Sequence, residues 1–282
     1  MNPVRDWEHM HLTKHHGLGN DFLIVVDPDG VETVDASLAR RVCHRHTGIG
    51  ADGLMHATSI VAAGDGRWSC RMKLFNPDGS VAEMSGNGIR CFGQAVLGHL
   101  GETQGHLDVT TDGGPRRLDM TPGPESDSVK VRVDMDSAKP GPDLASGWDT
   151  TGVEPLGQVG VDMGNPHLVV LVADPNAVDL AVVGPMIEAQ YPAGLNVEFV
   201  RVTGPDVIEL KVWERGAGIT RACGTGACAA AHAAHGWGLV GTEVEVRMPG
   251  GSVTIELGDP IHKTGPSAFV ATVEIRTGDQ HG

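Results

Sequence analysis

The chain has 282 residues, 21 of them basic and 36 acidic, for a net charge of −15. No basic run breaks that acidity, which argues against nucleic acid or an anionic membrane as a partner. The length allows two modest domains with real cores, and no apolar stretch is long enough to span a membrane.

The segment Met1-Asn2-Pro3-Val4-Arg5-Asp6 lacks the apolar core of a signal peptide. The five cysteines (43, 70, 91, 223 and 228) are an odd number without framework spacing, which predicts reduced thiols and a cytoplasmic protein. Forty glycines and 4% aromatic residues predict a strand-rich chain with many turns.

In chain order, residues 1–16 read as a solvated leader, since His9, His11, His15 and His16 match no standard metal-ligand spacing. No metal site is expected. Gly17-Leu18-Gly19-Asn20-Asp21 then forms a turn before the apolar strand Phe22–Val26. Ser37–His46 has the pattern of an amphipathic helix, with Asp35 placed to cap it and Cys43 packed inside. Thr47–Gly53 is a glycine loop. Strands are predicted at Arg71–Phe75, His106–Thr111 and Ser128–Met135, with a helix from Asn87 to His99 after the first of them. Thr121–Asp127 is rich in proline and glycine and marks a domain boundary, and Ser137–Gly152 reads as a surface loop.

In the second half, Val159–Met163 and Leu168–Val172 are strands flanking the turn Gly164-Asn165-Pro166-His167. A short helix over Val182–Gln190 follows. Strands Val197–Val202 and Val207–Trp213 come next, the second delivering Glu214 and Arg215. After another helix come strands Glu243–Met248 and Ser252–Leu257, a polar linker over Pro260–Pro266, and a last strand, Phe269–Ile275. That strand is placed to return to the first domain, because chain ends commonly lie close together.

Two stretches organise the rest. Met84-Ser85-Gly86-Asn87-Gly88-Ile89-Arg90 aligns with Ala222-Cys223-Gly224-Thr225-Gly226-Ala227-Cys228, and each opens a small-residue helix that runs into glycine. Asn76 and Glu214 lie at the same offset before Ser85 and Cys223. The halves therefore read as an internal repeat, and a cleft between pseudo-symmetric halves commonly holds a small ligand. A thiol at a helix N-terminus sits at the positive end of the dipole, so the pKa of Cys223 is expected to fall toward neutrality. The bare N–H groups of the same turn can hold a carboxylate. Beside it, Arg215 could bind a carboxylate and Glu214 an ammonium. Taken alone, one such turn reads better as a tight turn with a buried, inert cysteine.

Several separated motifs in one order are more specific. They are His16–Phe22, Gly50–Gly53, Asn76–Ser80, Met84–Gly88, Met163–His167, Asn196-Val197 and Glu214–Gly218 through Ala222–Gly226. Together they resemble the diaminopimelate epimerase family from about Gly17 to Ile275. The resemblance implies an α+β chain of two pseudo-symmetric domains, each with mostly antiparallel strands around a central helix and the active site in the cleft between them. The expected halves are residues 1–126 with 266–282, and 127–265. It implies cofactor-independent conversion of LL- to meso-diaminopimelate in lysine and peptidoglycan precursor synthesis, and a homodimer.

It places the two acid–base positions at Ser85 and Cys223, with His167 and Glu214 tuning them. Substrate contacts fall on Asn20, Asn76, Gly86, Asn87, Asn165, Asn196, Glu214, Arg215, Gly224 and Thr225.

The departure is Ser85, where the family has cysteine. A serine hydroxyl is a far weaker acid than a thiol, whose ordinary pKa is about 8.5. Three readings stay open: a substitution that blocks turnover, a natural hydroxyl relaying a proton, or a different reaction. The alternatives to the epimerase are a proline racemase or hydroxyproline epimerase and a catalytically impaired binder of the diamino acid. The former usually have histidine where Asn87 stands and lack the Glu-Arg-Gly-Ala-Gly run.

Overall fold

The computed structural model describes residues 9–148 and 151–276. They form two compact units. One takes Asp21–Lys130 with the described residues before Leu18 and from Ser267 on; the other takes Leu18–Asn20 and Val131–Pro266.

The first unit begins with β1 (His9–Gly17) and β2 (Asn20–Val26), then α1 (Ala36–Cys43), β3 (Gly53–Gly64), β4 (Arg67–Phe75) and the short β5 (Val81–Ala82). The buried helix α2 (Gly88–His99), β6 (Gly105–Thr111) and β7 (Gly114–Pro122) follow. β8 (Ser128–Asp134) and β9 (Lys139–Pro140) lead to β10 (Gly157–Asp162), β11 (Pro166–Leu171) and α3 (Leu180–Glu188). The second unit continues with β12 (Asn196–Gly204), β13 (Val207–Glu214), β14 (Gly218–Ile219), α4 (Gly224–Gly236), β15 (Glu243–Met248), β16 (Gly251–Glu256) and the start of β17 (His262–Arg276), which belongs to the first unit from Ser267 on. Strands dominate, with few helices. Among the described residues no helix is long and apolar enough to cross a membrane.

The repeat read from the two turns extends to the whole topology. In the first unit β2 pairs parallel with β3, β3 antiparallel with β4, β4 parallel with β6, and β6 antiparallel with β7. In the second, β11 pairs parallel with β12, β12 antiparallel with β13, β13 parallel with β15, and β15 antiparallel with β16. Each central helix is buried nearly all round, which requires small residues where strands approach closely. α4 meets this with Ala227, Ala229, Ala230, Ala231, Ala233 and Ala234, all buried. α2 meets it with Gly93, where an added Cβ would stand 2.7 Å from Leu118. A second, amphipathic helix covers each sheet from outside. α1 sets Leu38, Ala39, Val42 and Cys43 against Leu23, Val25, Leu54 and Phe75, and α3 sets Leu180, Val183 and Ile187 against Leu168, Val170, Val197 and Phe199.

Asp35 caps α1 as expected, accepting from Leu38 N at 2.8 Å. Two expectations fail. The leader is a strand from His9 on, with Met10, Leu12 and His15 buried beneath exposed His9 and His11. Its partner is the second part of β17, with Met10 opposite Ile275 and Leu12 opposite Val273. Residues 1–8 lie outside the described residues. The linker Pro260–Pro266 is mostly strand as well: β17 starts at His262, pairs with β16, and buries Lys263 completely. The predicted loop over Ser137–Gly152 carries only the two-residue β9, with Asp149 and Thr150 outside the described residues.

The glycine loop after α1 has a steric reason. A Cβ at Gly48 would stand 2.2 Å from the Arg41 carbonyl oxygen and 2.8 Å from that of Val42. Backbone atoms cannot yield as a side-chain end can, so Gly48→Ala is expected to destabilise the chain by roughly 3 kcal/mol, the upper end of overpacking costs. Urea denaturation checks this, and an unchanged midpoint would refute it.

Candidate active site

The two turns have the same local geometry. Ser85 Oγ accepts from Gly88 N at 3.1 Å, and Cys223 Sγ accepts from Gly226 N at 3.4 Å. Each backbone carbonyl also takes a first-turn N–H, Ile89 to Ser85 at 2.9 Å and Ala227 to Cys223 at 3.1 Å. Both side chains thus accept the N–H three residues on, the thiol bond being longer because sulfur is larger. The helices start differently: Cys223 is the N-cap of α4, whereas α2 begins only at Gly88 with Asn87 at its N-cap. The glycines three residues on stand in crowded places. A Cβ at Gly88 would fall 2.1 Å from Met55 Cε, and one at Gly226 would fall 2.5 Å from Glu198 Oε1.

In the first unit, Arg90 is fully buried and grips the turn from inside. Its guanidinium donates to the Gly86 carbonyl at 3.1 Å and to Asn87 Oδ1 at 3.1 Å. Asn76 lies earlier on this unit, its amide donating to Ser80 Oγ at 3.0 Å. Ser85 is half-buried and Asn87 buried.

The second unit gathers the larger set. Cys223 is buried, with Sγ 3.7 Å from Thr225 Oγ1. The Glu214 carboxylate is hydrogen-bonded by Thr220, and its charge acts on the Cys223 thiol. His167 and Glu198 are both completely buried and joined Nδ1 to Oε1 at 2.7 Å. Asn165 Oδ1 lies 3.0 Å from His167 Nε2. Asn196 ties two strand ends together, its amide donating to the Pro166 carbonyl at 2.9 Å and accepting from Arg215 N at 3.0 Å. The Arg215 guanidinium is exposed and, among the described residues, hydrogen-bonds only the Ala193 carbonyl, at 3.4 Å. Asn20 belongs to this unit too. A Cβ on its neighbour Gly19 would lie 3.8 Å from the Arg221 side chain, two residues before Cys223.

One expectation about the chemistry is reversed. The helix N-terminus does hold the Cys223 sulfur, but burial pushes the thiol well above its usual pKa, and the nearby Glu214 and Glu198 carboxylates push it the same way. The N–H of Gly226 and the Thr225 hydroxyl act in the opposite sense and lose. Burial raises Glu214 as well, against the hydrogen bond of Thr220. At rest the site therefore holds a protonated thiol under the influence of two carboxylates. The thiolate fraction should be small at pH 9 and rise only above it, so alkylation of Cys223 by iodoacetamide is expected to keep accelerating beyond pH 9. A plateau near neutrality would contradict this balance of burial and charge.

Glu198 was absent from the residues picked out by motif. Its signal lay in the sequence Val197-Glu198-Phe199-Val200, a lone carboxylate inside an apolar strand. Such a group is almost never fully buried without a partner.

This arrangement, two strand-wrapped helices with Ser85 ahead of one and Cys223 ahead of the other, has a fold shared by solved structures. A phenazine biosynthesis protein of the PhzF family from Bacillus anthracis superposes with a TM-score of 0.69 at 16% identity, covering 96% of this chain and 100% of that one. A hydroxyproline epimerase from Agrobacterium vitis superposes with a TM-score of 0.63 at 16% identity, covering 95% and 92%. Sequence narrows the class. The profile of the diaminopimelate epimerase family matches residues 12–140 and 159–270. The diaminopimelate epimerase of Desulfitobacterium hafniense is 40% identical over 279 residues, 93% of this chain and 96% of that protein. That of Moorella thermoacetica is 40% identical over 289 residues, covering 96% and 99%. The chain belongs to the diaminopimelate epimerase family.

Proposed function

We propose that the protein interconverts LL- and meso-diaminopimelate without a cofactor, by proton removal from the α-carbon on one face and proton return on the other. Each unit supplies one group, Cys223 and Ser85. The carrying observation is the matched pair of hydrogen bonds from Gly88 N to Ser85 and from Gly226 N to Cys223, seen in a chain of this family. The N–H groups of Gly86 and Asn87, and of Gly224 and Thr225, hold the reacting carboxylate and stabilise the charge that develops as the α-carbon loses its proton. Glu214 takes the thiol hydrogen. A substrate ammonium entering beside Glu214 and Glu198 offsets the negative charge that keeps Cys223 protonated, so the base forms when substrate is present. His167 steadies this side. Asn20, Asn76, Asn165, Asn196 and Arg215 recognise the remaining polar groups of the diamino diacid. The reading extends to a homodimer in the cytoplasm, supported by the family resemblance and by five cysteines that all stand free.

The test is to incubate the protein with LL-diaminopimelate and, separately, with hydroxyproline, and to resolve the stereoisomers by chiral chromatography. Meso product from the first alone supports the reading; inversion of hydroxyproline alone refutes it. Ser85 also favours a second reading, a binder with little turnover, which would show tight binding of diaminopimelate without solvent deuterium at the α-carbon.

Arg215→Ala is expected to weaken diaminopimelate binding about 10–100-fold, the value of a charge-assisted bidentate contact. Isothermal titration checks this, and an unchanged dissociation constant would remove Arg215 from the site.

A further inference from the structure

The two units place different chemistry behind equivalent turns. In the first, the strand pair beneath α2 aligns Phe22 with Gly53, and Met55 lies two residues further along β3. In the second, the pair beneath α4 aligns His167 with Asn196, and Glu198 lies two residues further along β12. Phe22 therefore corresponds to His167, and Met55 to Glu198. The crowding at the two glycines agrees for Met55 and Glu198, each the nearest neighbour of its glycine. A Cβ at Gly88 would meet Met55 and Phe22, whereas one at Gly226 would meet Glu198 Oε1 and Cys223. An apolar pair fills in one unit the space that an acid and an imidazole fill in the other.

A carboxylate is costly to bury, and a methionine serves this position in the sister unit. Glu198 is nonetheless completely buried, with Oε1 on His167 Nδ1 at 2.7 Å and Oε2 without a hydrogen bond among the described residues. We infer that Glu198 is a positioning residue for the Cys223 unit, fixing the His167 ring through Nδ1 and setting the protonation of the Cys223 thiol from behind the first turn of α4. This rests on the reading of Cys223 as an acid–base group. Which ring nitrogen of a histidine carries hydrogen is set by the bond the other makes. With Nδ1–H committed to Glu198, Nε2 is left for Asn165 and the site. The groups facing the thiol are Glu214 from β13, Glu198 from β12 with His167 from β11 behind it, and Thr225 from α4. Of the carboxylates, Glu214 is bonded by Thr220 and Glu198 by His167, and both act on the thiol through their charge.

The test compares the wild type with Glu198→Gln, which keeps the length and the acceptor oxygen but removes the charge. The titration of Cys223 is followed by the 13Cβ shift of labelled cysteine. The variant thiol is expected to titrate about one pH unit lower or more, since a like charge has been taken away. Equal midpoints, or a Cys223 that stays protonated to the same upper pH in both proteins, overturn the proposal. Should the variant fail to fold, 15N imidazole spectra of the wild type decide. His167 is expected to carry hydrogen on Nδ1, the nitrogen that faces Glu198, and a bare Nδ1 overturns the proposal. Neither readout depends on diaminopimelate turnover, so failure here is distinct from failure of the proposed reaction.

Discussion

Cys223→Ala is expected to abolish exchange of the substrate α-hydrogen with solvent, a loss of at least about 10⁴-fold, the upper range for a positioned acid–base group. Cys223 is the one member of the pair able to supply a thiolate, and Ser85 cannot replace it because an alkoxide at neutral pH has no support. The variant should still fold. It loses a helix cap worth about 1 kcal/mol, while the alanines that pack α4 are untouched. Deuterium incorporation measured by mass spectrometry checks the loss. Exchange within tenfold of wild type would mean that another group removes the proton.

Ser85→Cys is expected to have the second largest effect, a gain of about 10²–10⁴ in net epimerisation, because it restores a thiol where a weak acid now stands. The turn is built to take it. The Gly88 N–H that holds Oγ at 3.1 Å corresponds to the Gly226 N–H that holds sulfur at 3.4 Å. The surroundings differ in a way that sharpens the expectation. Phe22 and Met55 pack behind this turn, and the buried Arg90 guanidinium grips it. Cys223 instead faces two carboxylates. A thiol at position 85 is therefore expected to be more acidic than Cys223. Comparing peptide-resolved alkylation rates at the two positions across pH checks this; a lower pKa at Cys223 would contradict the assignment of charges.

Much of this was legible in the chain itself. The paired glycine turns, their shared offset to Asn76 and Glu214, and the small-residue helices marked the internal repeat. Strands with clear alternation, such as Glu243–Met248, came out with their observed bounds. What stayed hidden depended on partners far away in sequence. β1 alternates, but its outward residues are histidines, and the strand that makes sense of it lies at the other end of the chain. Pro260–Pro266 reads as a linker until β16 supplies a neighbour for His262 and Lys263. The acidity of Cys223 was misjudged for the same reason. The helix N-terminus is local and visible, whereas the burial and the two carboxylates that outweigh it come from strands folded against it. Phe22 and Met55 standing where the other unit has His167 and Glu198 became apparent only once the strand registers were aligned.

The central claim is that the two acid–base positions are unequal, with a competent thiol at 223 and a weak hydroxyl at 85. Its most direct test is to follow, in D2O, α-deuterium uptake and stereochemical inversion together, starting separately from LL- and meso-diaminopimelate, with the wild type and Ser85→Cys. The account predicts that in the wild type one stereoisomer takes up deuterium faster than it inverts, and that Ser85→Cys removes the difference while raising inversion. Equal uptake from both stereoisomers in the wild type, with no gain from Ser85→Cys, would show the hydroxyl to be a competent acid–base group and would contradict the account.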